Sequence, residues 1–517
     1  MCGIYGYVGP EAALASPEAL ETAIQALWHR GPDDRGQYRD DAGSIVCGLA
    51  HTRLSIIDLS PAGHQPRTTS DGRYTIVYNG EVFNHVEIRG ELAALGVGFD
   101  SSCDTEVVLK AYVRWGAECL SRFRGMFAFA IWDTRERTLF LARDRLGIKP
   151  LYYVERPGGG IAFASEVRAL LATGAAERKL SRAAVGSYFA FGAISGPGTI
   201  LDGVQSVSPG HTLELRNGHT ILRRYWEIPL ERAPHATFDD EVRALGPVLK
   251  EAVRLRLIAD VPVGVFLSGG IDSSVLVALA AEPGAAPIHT FTVTFDETRY
   301  SEAPFAAEVA SRYGCVHQQV HLPGARAALE IDAAVGALDQ PSSDGVNTYF
   351  VSKAAREAGL AVALSGLGGD ELFAGYGYFR AFSRALPVAR TLGALPSLLR
   401  AALQRAGRLP MAPTQVRKLV ALLASSGRPD TAYAVLRAML TLDQRERLLT
   451  GELGDGAAYD GVTTPAHLHE RLASGEVDAI SITLPTFVHP DTTVKALKAG
   501  VHVLCEKPMA LNPAECD

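Results

Sequence analysis

A chain of 517 residues has room for two or three domains, each large enough for its own core. Its 47% apolar and 21% charged residues are ordinary for a globular protein, and a net charge of -7 offers no cationic surface for nucleic acid or an anionic membrane. No run of about 18 apolar residues could span a bilayer, and Met-Cys-Gly-Ile-Tyr-Gly at the start lacks a signal-type core, so a cytoplasmic enzyme is expected.

The seven cysteines (2, 47, 103, 119, 315, 505 and 516) are odd in number and show no Cys-x-x-Cys spacing. Neither a disulfide framework nor a zinc site follows from them. Cys2 stands apart. Removal of Met1 would put a thiol and a free α-amine on one residue, with ordinary pKa values of about 8.5 and about 7.7–8.0. One residue could then supply both nucleophile and base. Its position alone does not establish that role; the segments that follow carry the argument. Residues 74–78 alternate as a strand, and Asn79-Gly80-Glu81 reads as the turn at its end. Such a turn presents the Asn79 amide and the Gly80 N–H as two oxyanion donors. Arg53 stands among β-branched residues, where a guanidinium needs a partner and suits bidentate grip of a carboxylate. Asp104 precedes the helical run 107–113 and reads as its N-cap, a role compatible with accepting a ligand ammonium.

Met1-Cys-Gly-Ile4, His29-Arg-Gly-Pro-Asp-Asp34, Arg53-Leu-Ser-Ile-Ile-Asp-Leu59 and Tyr78-Asn-Gly-Glu-Val-Phe-Asn84 resemble the class II glutamine amidotransferases. Asp104-Thr-Glu106, Gly125-Met-Phe-Ala-Phe-Ala130 and Arg143-Asp-Arg-Leu-Gly-Ile-Lys-Pro150 continue the match. Seven segments in one order over about 150 residues leave little room for coincidence. The resemblance implies an N-terminal-nucleophile αββα sandwich over residues 2–218, with Cys2 attacking the glutamine carboxamide. It also implies Asn79 and Gly80 at the oxyanion, and Arg53, Glu81 and Asp104 holding the glutamine α-groups. Ammonia leaves, a thioester remains, and water clears it. Residues 125–130 and 143–150 read as framework, Arg143/Asp144 as a structural ion pair, and His29 and His51 as structural histidines.

A connector with proline and charge, residues 227–236, precedes a helical segment over 238–259. Residues 263–267 then read as a buried strand broken by Ser268-Gly269-Gly270, with Asp272, Ser273 and Ser274 starting a helix. A strand, a glycine turn and a helix N-terminus form an anion cradle, and no Gly-Lys-Ser/Thr follows to make it a Walker loop. An ordinary βα turn would show the same residues. Further strands are predicted at 288–295, 316–322 and 361–365 and a helix at 302–313, a doubly wound parallel α/β pattern with ligands beyond the strand C-termini. Asp272 and Asp370/Glu371 stand beside glycines at two such ends, where carboxylates suit Mg²⁺ bridged to a nucleotide.

Ser268–Ser274, Tyr300-Ser-Glu-Ala303 and Ser365-Gly-Leu-Gly-Gly-Asp-Glu-Leu-Phe-Ala-Gly-Tyr376 resemble the asparagine synthetase branch of the PP-loop ATP pyrophosphatases. The resemblance assigns residues 237–460 to a C-terminally truncated ATP domain. It places ATP pyrophosphate on Ser268, Gly269, Gly270 and Ser273, with Asp272 and Asp370 toward Mg²⁺. Phe266 and Val293 would contact adenosine, and Ser365 and Gly366 would line the AMP side. The implied reaction activates an aspartate side chain as acyl-AMP for attack by ammonia. Leu367 departs from the glutamate found there in relatives; leucine neither ionises nor binds Mg²⁺, which leaves the acceptor open.

Residues 385–447 have helical, Leu/Ala/Arg-rich spacing. Beyond them a strand at 477–483, a helix at 492–499 and a strand at 501–505 lead into Glu506-Lys507-Pro508. This tail, residues 465–517, resembles part of the nucleotide-binding domain of the glucose–fructose oxidoreductase/inositol dehydrogenase family, which would make Lys507 its functional lysine. The Gly-x-Gly-x-x-Gly unit for a dinucleotide is absent, so hydride transfer is not expected. The leading expectation is glutamine-dependent asparagine synthesis using glutamine, aspartate, ATP and Mg²⁺, without nucleic acid or membrane and with a homodimer left open. Uncoupled glutaminase, another carboxylate acceptor, and an inactive fusion protein are the alternatives.

Overall fold

The computed structural model describes residues 1–228, 237–281, 287–294, 302–373, 375–393, 396, 399, 402, 418, 420–422, 429–449, 479–482 and 502–505. The first 228 residues build two six-stranded antiparallel sheets. One has the order β10-β8-β9-β1-β3-β2, from β1 (Gly3–Gly9), β2 (Asp34–Asp40), β3 (Val46–Arg53), β8 (Tyr152–Arg156), β9 (Gly160–Ala164) and β10 (Gln205–Ser206). The other has the order β12-β11-β7-β6-β5-β4, from β4 (Arg67–Thr68), β5 (Tyr74–Val82), β6 (Gly125–Asp133), β7 (Thr138–Arg143), β11 (His211–Arg216) and β12 (His219–Arg224).

The central strands are buried on both faces because three apolar layers surround them. Ile4, Val8, Leu49, Val77, Ala130 and Trp132 fill the space between the sheets. Tyr5, Tyr7 and Ala50 turn the other way, onto α1 (Pro17–Leu27) and α5 (Val167–Ala172). Ile76, Tyr78, Phe127 and Phe129 pack outward on α2 (His85–Ala94), α3 (Asp104–Trp115) and the short α4 (Cys119–Arg122). Alternate residues of one strand thus serve two cores, as the two-residue period of a strand requires. The result is the expected αββα sandwich. Arg143 and Asp144 do not meet as the ion pair read from sequence. The Arg143 guanidinium donates to the carbonyls of Gly147, Lys149 and Val207, and Asp144 accepts the N–H groups of Phe127, Leu146, Ile148 and Lys149. Each charge serves backbone groups that the turn leaves unpaired.

After α6 (Arg182–Phe191), the second domain opens with α7 (Phe238–Arg256). Thr237 and Asp240 exchange bonds as a capping box that starts this helix. A four-stranded, wholly parallel sheet follows in the order β15-β14-β13-β16, from β13 (Val263–Phe266), β14 (His289–Thr294), β15 (Val316–His321) and β16 (Val362–Leu364). Around it stand α8 (Ile271–Ala280), α9 (Ala303–Arg312), α10 (Gly324–Ala337) and α11 (Gly345–Glu357), then α12 (Gly369–Phe373) and α13 (Gly377–Gly393). Strands and helices predicted in this domain appear within one to three residues of their expected ends. The helices α10 and α11 carry no sequence prediction. In the last third α14 (Pro429–Arg437) packs on α13, and α15 (Leu442–Leu448) follows. The predicted tail strands are found as β17 (Ala479–Ile482) and β18 (His502–Cys505), a parallel pair. The predicted helix at 492–499 and Lys507 lie outside the described residues.

The two domains are tied by direct bonds. The Asp58 N–H donates to the Asp260 carboxylate at 2.7 Å, and the Asp260 N–H donates to Ile56 O at 2.9 Å. Ile200 N–H reaches Gln340 Oε1 at 2.9 Å, Ser343 N–H reaches Gly192 O at 2.7 Å, and Met439 N–H reaches Ala190 O at 2.6 Å.

Candidate active site

Cys2 lies just before β1, with Met1 attached. Its sulfur accepts from Leu54 N–H at 3.5 Å and lies 3.7 Å from Leu54 O, so the residue after β3 holds the thiol in place. Arg30 Nε donates to Cys2 O at 2.9 Å. The Met1 amine is pushed down to about 5, first by burial, with Cys2 opposing and Lys149 and Arg30 adding to the fall. An amine in this position is a neutral proton acceptor near pH 7.

Asn79, Gly80 and Glu81 do not form a turn. β5 continues through them to Val82 and pairs with β6 throughout, Asn79 opposite Ala128 and Gly80 opposite Phe127. β6 pairs along one edge of the strand, while the Tyr78 and Val82 N–H groups on the other edge turn to Gln65 and Asp104, so the chain stays extended. A Cβ on Gly80 would lie 2.5 Å from Met126 O and 2.7 Å from Phe127 Cα, so close strand packing explains the glycine. Asn79 is 1% exposed, and neither its amide nitrogen nor its amide oxygen has a partner among the described residues. A buried carboxamide with nothing to bond costs stability unless a ligand completes it. It fits an oxyanion donor.

Asp104 is the first residue of α3, and Cys103 holds the N-cap position without a side-chain bond. The Asp104 carboxylate turns instead to β5, accepting Tyr78 OH at 2.7 Å and Val82 N–H at 3.1 Å. Burial raises the Asp104 carboxyl, against the bonds from Tyr78 and Val82. Glu81 is pushed up to about 8, first by burial and then by Asp104. Two carboxyls that resist ionisation side by side form a pocket that an ammonium would relieve. Arg53, at the end of β3, has no carboxylate among its bonds: its guanidinium donates to the carbonyls of Ser60, Ile57 and Asp58 and packs against Gly63. Those dipoles hold the cation without cancelling its charge, which leaves it able to take a ligand carboxylate.

Lys149 was read only as framework, yet it is 6% exposed and its amine is lowered first by burial. Cys2, Arg30, Asp144 and Glu81 all act on it, so it lies within electrostatic reach of the thiol and of the β5 carboxylate. A lysine inside the apolar run Leu-Gly-Ile-Lys-Pro-Leu was the available signal. His29 Nε2 rests on Glu166 at 3.0 Å, and His51 Nε2 on Tyr78 O at 3.0 Å. Burial lowers His51 to about 4, consistent with a neutral structural ring.

In the second domain β13 and β16 are neighbours, while β14 and β15 lie on the other side of β13. The strand order therefore reverses between β13 and β16, and beyond their C-terminal ends lies the position that sheets of this kind use as a ligand crevice. Both predicted loops border it. Gly269 has φ +82, and a Cβ there would lie 2.5 Å from Phe305 Cβ and 2.8 Å from Ala306 N. Ser268 and Ser273 hydroxyls are 3.0 Å apart, and Ser268 Oγ accepts Gly270 N–H at 3.2 Å. The expected side-chain cap on α8 is absent: Gly270 is the N-cap residue, and Ser273 folds back onto Gly270 O. Uncapped N–H groups at that helix start suit a phosphate.

The second loop closes onto the first. A Cβ on Gly366 would lie 2.9 Å from Asp272 Cβ, and one on Gly369 2.4 Å from Asp272 Cγ. Only glycine lets the chain after Ser365 approach Asp272 so closely. Asp370 packs against Gly375. Two carboxylates beside a phosphate cradle fit Mg²⁺, which takes one or two protein carboxylates and completes its shell with phosphate and water. Leu367 is 64% exposed at this crevice. Phe266 packs with Phe291 and Leu360, and Val293 packs with Leu322 and Phe350.

Comparison with known proteins matches residues 1–226 to the glutamine amidotransferase domain and residues 244–478 to asparagine synthase. Residues 441–517 match the NAD-binding Rossmann fold of an oxidoreductase family. Glutamine-hydrolyzing asparagine synthetase 3 of Bacillus subtilis (strain 168) is 33% identical over 73% of this chain and 64% of its own length. Asparagine synthetase 1 of the same organism is 36% identical over 77% of this chain and 62% of its own length. A provisionally assigned glutamine-hydrolyzing asparagine synthetase 2 of Methanocaldococcus jannaschii is 35% identical, with 75% and 79% covered. The chain thus spans somewhat under two thirds of the length of the two Bacillus relatives. Among solved structures, glutamine phosphoribosylpyrophosphate amidotransferase from B. subtilis, complexed with ADP and GMP, matches 70% of this chain and 90% of its own. At TM-score 0.35 and 15% identity that likeness is too slight to carry an argument. With a nucleophile fold followed by a PP-loop-like crevice, and relatives at this identity over this length, the chain belongs to the glutamine-hydrolysing asparagine synthetase family.

Proposed function

We propose that the protein makes asparagine from aspartate with ammonia released from glutamine at Cys2 and with ATP as the activating substrate. The observation that carries the first half is the buried Asn79 carboxamide without a protein partner, set on the strand beside Gly80 and Glu81. In this reading the Cys2 thiol attacks the glutamine carboxamide, and its own amine, once Met1 is removed, takes and returns the proton. Asn79 and the Gly80 N–H stabilise the oxyanion, while Arg53 takes the α-carboxylate and Glu81 and Asp104 take the α-ammonium. In the second half Ser268, Gly269, Gly270 and Ser273 seat the pyrophosphate. Ser365 and Gly366 flank the AMP side, and Phe266 and Val293 the adenosine. Asp272 and Asp370 would hold Mg²⁺, which would neutralise phosphate charge when bound. Aspartate's carboxylate displaces pyrophosphate to give the acyl-AMP, and ammonia displaces AMP. The amidotransferase unit is taken as residues 2–218, the ATP unit as residues 237–460 and the oxidoreductase-like fragment as residues 465–517. The cytoplasm is its proposed compartment, and a homodimer is left open as its assembly. No described helix is long and apolar enough to cross a membrane.

A second reading, glutaminase uncoupled from ATP, is favoured by one finding: the asparagine synthase match ends at 478, while an oxidoreductase match already begins at 441. Leu367 keeps a different carboxylate acceptor within the first reading. The test measures glutamate formation and aspartate-dependent pyrophosphate release, with Cys2→Ala as control. Glutaminase activity that survives Cys2→Ala refutes the first half. Pyrophosphate release indifferent to aspartate refutes asparagine as product.

A further inference from the structure

From the end of β9 into the first turn of α5, the four residues Ser165-Glu-Val-Arg168 touch both domains at once. Ser165 bonds twice to the start of β1: its N–H donates to Ile4 O at 2.9 Å, and its Oγ accepts Ile4 N–H at 3.0 Å. Glu166, 6% exposed, takes Arg30 Nη1 at 2.7 Å, and Arg30 in turn donates to Cys2 O. On the far side, the Val167 and Arg168 N–H groups donate to the Asp339 carboxylate of the ATP domain at 2.9 and 3.0 Å. Arg168 Nε stands 3.0 Å from Glu166 Oε2 and 3.5 Å from Asp339 Oδ1, at ion-pair distance although not aligned as a hydrogen bond to Glu166. Arg168 also donates to Ala337 O at 2.8 Å. Charges therefore alternate along one path from the nucleophile's own carbonyl to the loop between α10 and α11. That loop leads into the first turn of α11, where Val346 packs with Val293 at the end of β14.

We propose that Glu166 is a positioning residue for the Cys2 reaction and that residues 165–168 form an interdomain strap, anchored on Asp339, which fixes Cys2 in its working position. The strap rests on the reading of Cys2 as the glutamine-hydrolysing nucleophile. Buried ionic chains lose much when one member is neutralised, because the opposite charge is left without its partner. Members of one chain also act together, so their losses do not add.

The test uses the full chain with Glu166→Gln, Asp339→Asn and the pair together. Expected are a fall in glutaminase kcat of roughly tenfold for Glu166→Gln and several-fold for Asp339→Asn, with glutamine KM within about twofold. The double variant should be no slower than Glu166→Gln alone. Amide exchange at Ile4 should quicken in Asp339→Asn, although the substitution lies in the other domain. Unchanged kcat together with unchanged Ile4 exchange in Asp339→Asn overturns the strap, and so do additive losses. If Glu166→Gln does not fold, Asp339→Asn and its exchange readout decide alone. Wild-type protein without Cys2-dependent glutaminase would overturn the nucleophile reading and with it the positioning role, while Ile4 exchange would still report the mechanical tie.

Discussion

At the scale of single residues, the proposed glutamine pocket gathers groups that the described residues leave poorly satisfied. Among them the Asn79 carboxamide has no partner, burial and Asp104 push the Glu81 carboxyl up to about 8, and the Arg53 guanidinium donates to backbone carbonyls. Replacing Asn79 with alanine should lower glutaminase kcat by about 10²–10³-fold while glutamine KM changes little, as the loss of one oxyanion donor does. Glu81 gives a pH signature. Its folded pKa lies above its unfolded value, so its contribution to stability is complete below about 4.5 and is lost as pH rises through about 8. Thermal melting of the glutamine-free protein should therefore fall over that window, and Glu81→Gln should flatten the fall. If the ionised form receives the ligand ammonium, glutamine KM should drop as pH rises toward 8, and this dependence should vanish in the same variant. Arg53, Asn79 and Asp104 could be proposed from sequence because their chemistry is specific, and Glu81 because the family resemblance implies it. Lys149 and Glu166 could not, because a lone charge in a framework segment shows no partner until folding brings one from far along the chain.

Among the elements, the two ATP-side loops show what a short sequence conveys and what it withholds. Ser268-Gly-Gly and Gly366-Leu-Gly-Gly mark turns in any reading, yet the need for glycine comes from contacts with α9 and with Asp272. Gly269→Ala combines a left-handed φ with a Cβ against Phe305, and should cost about 1–3 kcal/mol of stability in urea unfolding of the second domain. Asp272→Asn should weaken Mg²⁺-dependent ATP binding at least several-fold by calorimetry while leaving glutaminase turnover intact; equal binding would remove Asp272 from the site. Two sequence readings failed for the same kind of reason. Asn-Gly is a strong turn signal, but β6 supplies a ladder that keeps Asn79-Gly80 extended. Asp104 is a good cap residue, but Tyr78 OH and Val82 N–H draw its carboxylate away from the helix start. Local preference yields where a tertiary partner offers a better bond.

For the whole molecule, the proposed glutamine hydrolysis and the proposed acyl-AMP chemistry fall to separate domains whose junction is hydrogen-bonded at several places. If the shortened ATP unit still works, pyrophosphate release should rise with aspartate, but at less than one equivalent per glutamate formed. A one-to-one ratio would show that the oxidoreductase-like tail costs the coupling nothing. The sequence by itself determined the parallel α/β pattern of the second domain and, through its family motifs, the sandwich that precedes it, and it supplied the candidate site residues. It could do so because apolar periodicity, glycine turns and motif residues are written locally. Only the tertiary structure decided which buried groups lack partners, why particular glycines admit no side chain, and that Glu166 and Asp339 belong to one path from Cys2. Those depend on the meeting of residues tens to well over a hundred positions apart, and such proximity exists only once the chain has folded.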